Sequence, residues 1–190
     1  PRSTHRYTLF PSRRSSDLAL FTALAAFQFP CQATGGTLVG NPAPDFKVMS
    51  GDNKALALSD IKGKTAVLFY ESKNAVEQNR KLKAALNGFY DRQPDGIKAG
   101  IARIAVVDCK GVLFGGAWKK NLRDNSVKEG MTIYGDWDGK MSADYMAKEG
   151  ASNFTIIDKD GTVRYSASGR IEDGEISAIE GLLKGLAGGN

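Results

Sequence analysis

Residues 71–79 read Glu-Ser-Lys-Asn-Ala-Val-Glu-Gln-Asn and follow directly on an apolar run that ends in Glu71. In an open α/β sheet, the carboxyl end of a strand and the start of the next helix are where ligands and reactive groups gather. Glu71, Ser72, Lys73, Asn74, Glu77, Gln78 and Asn79 crowd this junction, with neither Cys nor His among them. Backbone N–H groups at a helix start, with Lys73 beside them, suit an anion or a peptide edge better than nucleophilic attack. A solvated helix end would use the same residue types. Asn74 would then be the cap, with Glu77 three residues on in capping-box position.

Thiol chemistry has one other candidate. The chain has two cysteines, Cys31 and Cys109, and a single histidine, His5. Cys109 closes a second apolar run, between Asp108 and Lys110. An adjacent Lys favours thiolate when the sulfur is exposed, whereas a buried thiol is inert. No nearby His is available to deprotonate it. The acidic turns 136–139 (Asp-Trp-Asp-Gly) and 158–161 (Asp-Lys-Asp-Gly) lack the ligand set of an EF-hand and read as turns. Trp118, Tyr134, Trp137 and Tyr145 have the residue types of a groove lining, but core or half-buried packing explains them equally. A Walker loop, a dinucleotide fingerprint and metal-spaced Cys/His sets are absent. The only histidine lies in the leading stretch, which excludes a Ser-His-Asp triad in the rest of the chain.

The elements that must position these residues follow from periodicity. Residues 65–71 (Thr-Ala-Val-Leu-Phe-Tyr-Glu) and 101–108 (Ile-Ala-Arg-Ile-Ala-Val-Val-Asp) are near-continuous apolar runs, the pattern of strands covered on both faces. From Asn74 the period changes. Leu82, Ala85, Leu86 and Phe89 mark one face of a helix that ends at the Pro94-Asp95-Gly96 turn. Residues 46–49 suit an edge strand and 131–137 a third central strand, followed by a helix at 140–148. A helix around 118–127 precedes that strand. The Lys159-Asp160-Gly161 turn joins two runs as a hairpin, and Ile176, Ile179, Leu182, Leu183 and Leu186 stripe a closing helix. The order β-α-β-α-β-α-β-β-α predicts one α/β domain over 38–187, a central mixed sheet sandwiched by helices.

The ends carry a different message. Of 190 residues 42% are hydrophobic and 25% charged, enough apolar material for one core. The formal charge is +5, but residues 1–18 alone hold Arg2, Arg6, Arg13 and Arg14 against Asp17. Little net charge remains for the domain, so a nucleic-acid partner is not expected. Residues 1–18 resemble a translated adapter sequence and are set aside from fold reasoning. The apolar run Leu18–Phe29 is too short to span a bilayer and suits a signal-peptide core, with cleavage after Ala33. Export to the periplasm or beyond, with no transmembrane span in the mature form, is the expectation. Cleavage would leave Cys109 unable to form an internal disulfide.

The element order, together with 40–46 (Gly-Asn-Pro-Ala-Pro-Asp-Phe), 58–70 and 155–169, resembles the thioredoxin-like superfamily in its exported redoxin and peroxiredoxin-like branch. The resemblance implies a thioredoxin-like three-layer sandwich. In thioredoxins a C-x-x-C pair follows the strand and opens the helix, and here Asn74 and Glu77 occupy the matching positions. The single reactive cysteine of the peroxiredoxin pattern falls near Gln78. The proline that faces the thiols in the family is replaced by Ser152-Asn153. A closer likeness is to the bacterial periplasmic YtfJ-type group, through Ala75, Glu77 and Asn79 and through the Asp136–Gly139 turn ahead of Ile157–Gly161.

This combination implies an exported, redox-inactive binding module. Its site would be the groove between the 71–79 junction and Ser152-Asn153, taking a polypeptide of the cell envelope or a small anion, with no cofactor and no metal. The alternative is a peroxiredoxin-like or thiol-disulfide oxidoreductase working through Cys109.

Overall fold

The computed structural model describes residues 38–113 and 115–188. The expected leader at 1–18 and signal segment at 19–33, with His5 and Cys31, lie outside the described residues.

The two apolar runs form the middle of the sheet. Strand β3 (Thr65–Glu71) is buried at all seven positions, and β4 (Ile101–Asp108) runs parallel to it in the register Thr65↔Ile101. Parallel neighbours need a crossover. Helix α1 (Arg80–Asp91) and the short α2 (Asp95–Ala99) supply it. Strand β5 (Ile133–Asp136) joins β4 in parallel after helix α3 (Gly115–Glu129). On the other side β6 (Ser152–Ile157) and β7 (Val163–Ser168) add an antiparallel hairpin, and helix α5 (Asp173–Gly188) closes the chain. A short helix α4 (Lys140–Asp144) lies between β5 and β6. Strands β1 (Lys47–Ser50) and β2 (Ala55–Ala57) complete seven strands in the order β2-β1-β5-β4-β3-β6-β7. This is the expected mixed sheet with helices on both faces.

Two apolar layers flank it. On one face Val67, Phe69, Phe154 and Ile156 meet Leu82, Leu86 and Phe89 of α1 and Ile179 and Leu183 of α5. The Phe69 and Phe154 rings lie 4.7 Å apart. On the other, Leu68, Tyr70, Ile104 and Val106 pack on Phe46, Met141, Tyr145 and Ile157.

Four local expectations are corrected. The strand near 46–49 is not an edge, because β2 pairs outside it. Pro94 opens the short helix α2 instead of only a turn. The helix after β5 stops at Asp144, since Met146 takes φ +48 and Gly150 φ +71, outside the helical region. Most relevant to the site, α1 starts at Arg80 and not at Asn74. Residues Lys73–Ala75 form a single 3₁₀ turn, neither Asn74 nor Glu77 caps the helix, and Asn79 stands at its entry.

Candidate functional site

Strand β3 delivers Glu71 to the carboxyl end of the sheet with its side chain pointing inward, 5% exposed. A carboxylate buried so deeply requires partners. Lys83, one turn into α1, donates to its Oε2 at 2.7 Å, and the Ser152 hydroxyl donates to its Oε1 at 2.6 Å. Ser152 is fully buried and sits directly across the β3–β6 ladder from Glu71. Asn79 then ties in the helix entry. Its Nδ2 donates to Ser152 Oγ (3.0 Å) and to the Gly169 carbonyl (2.9 Å), while Oδ1 accepts from the Ile171 amide (2.9 Å). The pull of these three bonds explains the late start of α1: the chain is drawn in at Asn79, and 76–78 loops outside it.

Gln78 and Asn153 complete the network. Gln78 Oε1 accepts from the Ser152 amide at 3.0 Å, and its Nε2 donates to the Gly150 carbonyl. Asn153 Oδ1 accepts from the Lys148 amide and the Ser168 hydroxyl, while Nδ2 donates to the Tyr70 carbonyl. The junction and the Ser152-Asn153 segment are thus joined directly through Gln78 and Asn79. An open groove between them, as expected from sequence, is replaced by this seam. Of the nine residues singled out, Glu71, Gln78, Asn79, Ser152 and Asn153 hold the scaffold. Lys73, Asn74 and Glu77 face solvent. Lys73 Nζ lies 5.5 Å from the Trp118 ring centroid, and Glu77 pairs with Arg80 at 3.5 Å. The Ser72 hydroxyl is buried without a hydrogen-bond partner.

Cys109 directly follows β4, one strand away, and is 1% exposed. Burial, then the charges of Asp108 and Asp136, push its thiol up to about 12. At neutral pH it is a thiol, shielded and without the electropositive surroundings a reactive cysteine needs.

Two polar side chains outside the nine candidate site residues matter here, one of them buried. Asp136 is 1% exposed. Its Oδ1 accepts from the Gly139 amide at 3.1 Å, and its Oδ2 from the Ser142 amide at 2.9 Å and the Tyr70 hydroxyl at 3.1 Å. Burial raises its pKa, with the backbone bond from Ser142 opposing. An acidic residue three before a Gly and a short helix is the signal that could have marked it as a cap. Lys83 is the other. A carboxylate at the end of a strand buried on both faces predicts a cation within reach, and the helix supplies it.

The second acidic turn behaves as expected of a turn. Asp158 Oδ1 accepts from the amides of Asp160 and Thr162, and its Oδ2 accepts from Arg164 at 2.6 Å. Burial raises its pKa, but these bonds outweigh burial and hold the carboxyl below its usual value. Among the described residues, no three His, Cys, Asp or Glu side chains are grouped to hold a metal. Tyr145 is core, its hydroxyl donating to the Pro44 carbonyl. Trp137 donates to the Met49 carbonyl, and Trp118 lines an open cleft.

The AhpC/TSA family pattern matches residues 39–166. The chain belongs to the AhpC/TSA family. No curated protein matches it by sequence. Solved structures agree on the fold. A Bacteroides thetaiotaomicron protein, provisionally named a protein disulfide isomerase, aligns with a TM-score of 0.61 at 18% identity, covering 79% of this chain and 90% of that one. A Chlorobium tepidum protein, provisionally named the thiol:disulfide interchange protein DsbE, aligns at 0.59 and 21%, covering 78% and 97%. The exposed lipoprotein thioredoxin Etrx1 of Streptococcus pneumoniae aligns at 0.53 and 24%, covering 75% and 100%. At these identities the likeness concerns the fold, which is thioredoxin-like. In this AhpC/TSA chain, the strand end where such a fold presents its reactive group carries Glu71, Ser152, Asn79 and Lys83.

Proposed function

We propose that this AhpC/TSA chain is an exported, redox-inactive binding module, with residues 38–187 as its thioredoxin-like domain and a likeness to the YtfJ-type group. The observation that carries the reading is the substitution of a closed polar seam for sulfur. Asn74 and Glu77, at the positions of the thioredoxin cysteines, face solvent, and Ser152 takes the place of the facing proline. Cys109 is buried with its thiol pushed up to about 12.

The recognition surface is the solvent side of the junction, with Lys73, Asn74, Glu77 and Gln78 on a rim that Glu71, Asn79, Ser152 and Asn153 hold from behind. A rigid support with a few exposed polar groups suits recognition of an envelope polypeptide or a small anion. The pattern of Ala75, Glu77 and Asn79 fits this division: Ala75 and Asn79 are buried and Glu77 is exposed.

The alternative of a thiol oxidoreductase working through Cys109 draws on the family and on the DsbE-like fold neighbours. The deciding experiment measures disulfide reduction and peroxide consumption by the full chain beside Cys109→Ser. Activity at the background level in both is expected. Turnover in the native chain that vanishes in Cys109→Ser would overturn the proposal.

A further inference from the structure

Between α1 and α3, over the middle of the sheet, lies a cleft of about 750 Å³. Small-molecule sites typically enclose ~300–1,000 Å³, with an apolar lining and a few polar groups. The floor here is Phe69 of β3 with Ala105 and Val107 of β4, and the far wall is Trp118 and Leu122 of α3. Helix α3 buries Leu122 alone among its described side chains, so Ala105 and Val107 are left only half covered.

The charges around the cleft are not balanced. Lys83 and Arg80 are paired with Glu71 and Glu77. Lys73, Arg103 and Lys128 have no ion pair among the described residues. Lys73 rests over Trp118, and Arg103 lies 4.1 Å from the Tyr90 ring while donating to Asn87. Against these three cations the lining offers one unpaired carboxylate, Glu129. The floor strand β4 lies between β3 and β5 with both edges occupied, so an extended peptide finds no edge to pair with. A compact apolar body needs none.

We propose that this cleft binds an amphipathic carboxylate, a medium-chain fatty acid in its simplest form. The hydrocarbon lies on Ala105 and Val107 against Trp118, and the carboxylate is held at the rim by Lys73, Arg103 or Lys128. The inference goes beyond the binding-module reading and does not depend on the absence of thiol chemistry.

Trp118 is one of two tryptophans, so Trp137→Phe leaves it the sole reporter. The full chain carrying that change is titrated with dodecanoate below its micellar concentration, and with dodecyltrimethylammonium as a charge control. A saturable fluorescence change with dodecanoate, at least ten-fold weaker with the cation, is expected. Ala105→Phe fills the floor without adding a second reporter and should weaken binding by at least ten-fold. The exposed charge reversals Lys73→Glu, Arg103→Glu and Lys128→Glu leave the core intact, and at least one of them should weaken binding about five-fold. No saturable change, equal binding of the cation, or full binding in all three reversals would overturn the proposal. Thiol turnover, which would end the preceding reading, has no bearing on any of these outcomes.

Discussion

Replacing Asn79 with Ala removes the side chain that joins the entry of α1 to β6 and to the segment after β7. Asn79 is 2% exposed and makes three hydrogen bonds, at 2.9–3.0 Å, to Ser152, Gly169 and Ile171. Each such bond contributes about 1 kcal/mol net, and an orphaned buried amide such as that of Ile171 costs ~1–3 kcal/mol. The expected loss is therefore about 3 kcal/mol, a large share of a stability of ~5–15 kcal/mol. In a domain of this size, it lowers the melting temperature by roughly 6–12 °C. The assay is urea unfolding followed by circular dichroism, with Asn74→Ala as reference. Asn74 is exposed and should change stability by no more than ~0.5 kcal/mol. If the two variants unfold at the same midpoint, the seam is not what holds the site, and its reading as a scaffold fails.

Lys83→Met strands the Glu71 carboxylate. The lysine side chain is 26% exposed, so the cost should fall below that of a fully buried pair, at about 2 kcal/mol, and Glu71→Gln in the same background should recover part of it. A double-mutant cycle in urea reads the coupling, and strict additivity would refute it. Cys109, 1% exposed and with its thiol pushed up to about 12, should react with a thiol reagent at neutral pH far more slowly in the folded chain than in urea, and prompt labelling at Cys109, read by peptide mapping so that Cys31 is not counted, would contradict its burial. Asp136 has a raised pKa in the folded chain, so the native state binds its proton more tightly than the unfolded one. Its contribution is complete below the unfolded value of about 3.9 and is lost as pH rises through the raised value. Asp136→Asn should flatten that part of the stability–pH curve, measured by thermal melts across the acid range.

Much of the frame is legible in the sequence, because its signals are local. The bounds of β3 and β4 follow from near-continuous apolar runs, and the Leu82, Leu86 and Phe89 stripe gives the buried face of α1. Strand β2 escapes because three residues carry no period, and only β1 across the ladder makes them a strand. Asn74 and Glu77 satisfy a capping rule locally and so predict a helix start there, while the contacts that decide the matter join Asn79 to partners 73 to 92 residues away. Residue type and position already mark Glu71, Asn79 and Ser152 as site residues. That they bind one another required the fold, since only the β3–β6 register brings Ser152 opposite Glu71.

The late start of α1 has a consequence for any attempt to install thiol chemistry at this junction. In a thioredoxin the attacking sulfur sits at the mouth of a helix, and the converging amides there make it acidic. Here positions 74 and 77 precede the first helical residue, Arg80, by six and three places. Cysteines installed at both would sit on a solvent-exposed turn with the acidity of ordinary thiols, opposite a serine. Two sulfur atoms placed there would not give thioredoxin chemistry until the Asn79 anchor was also released and the helix allowed to wind back toward Asn74.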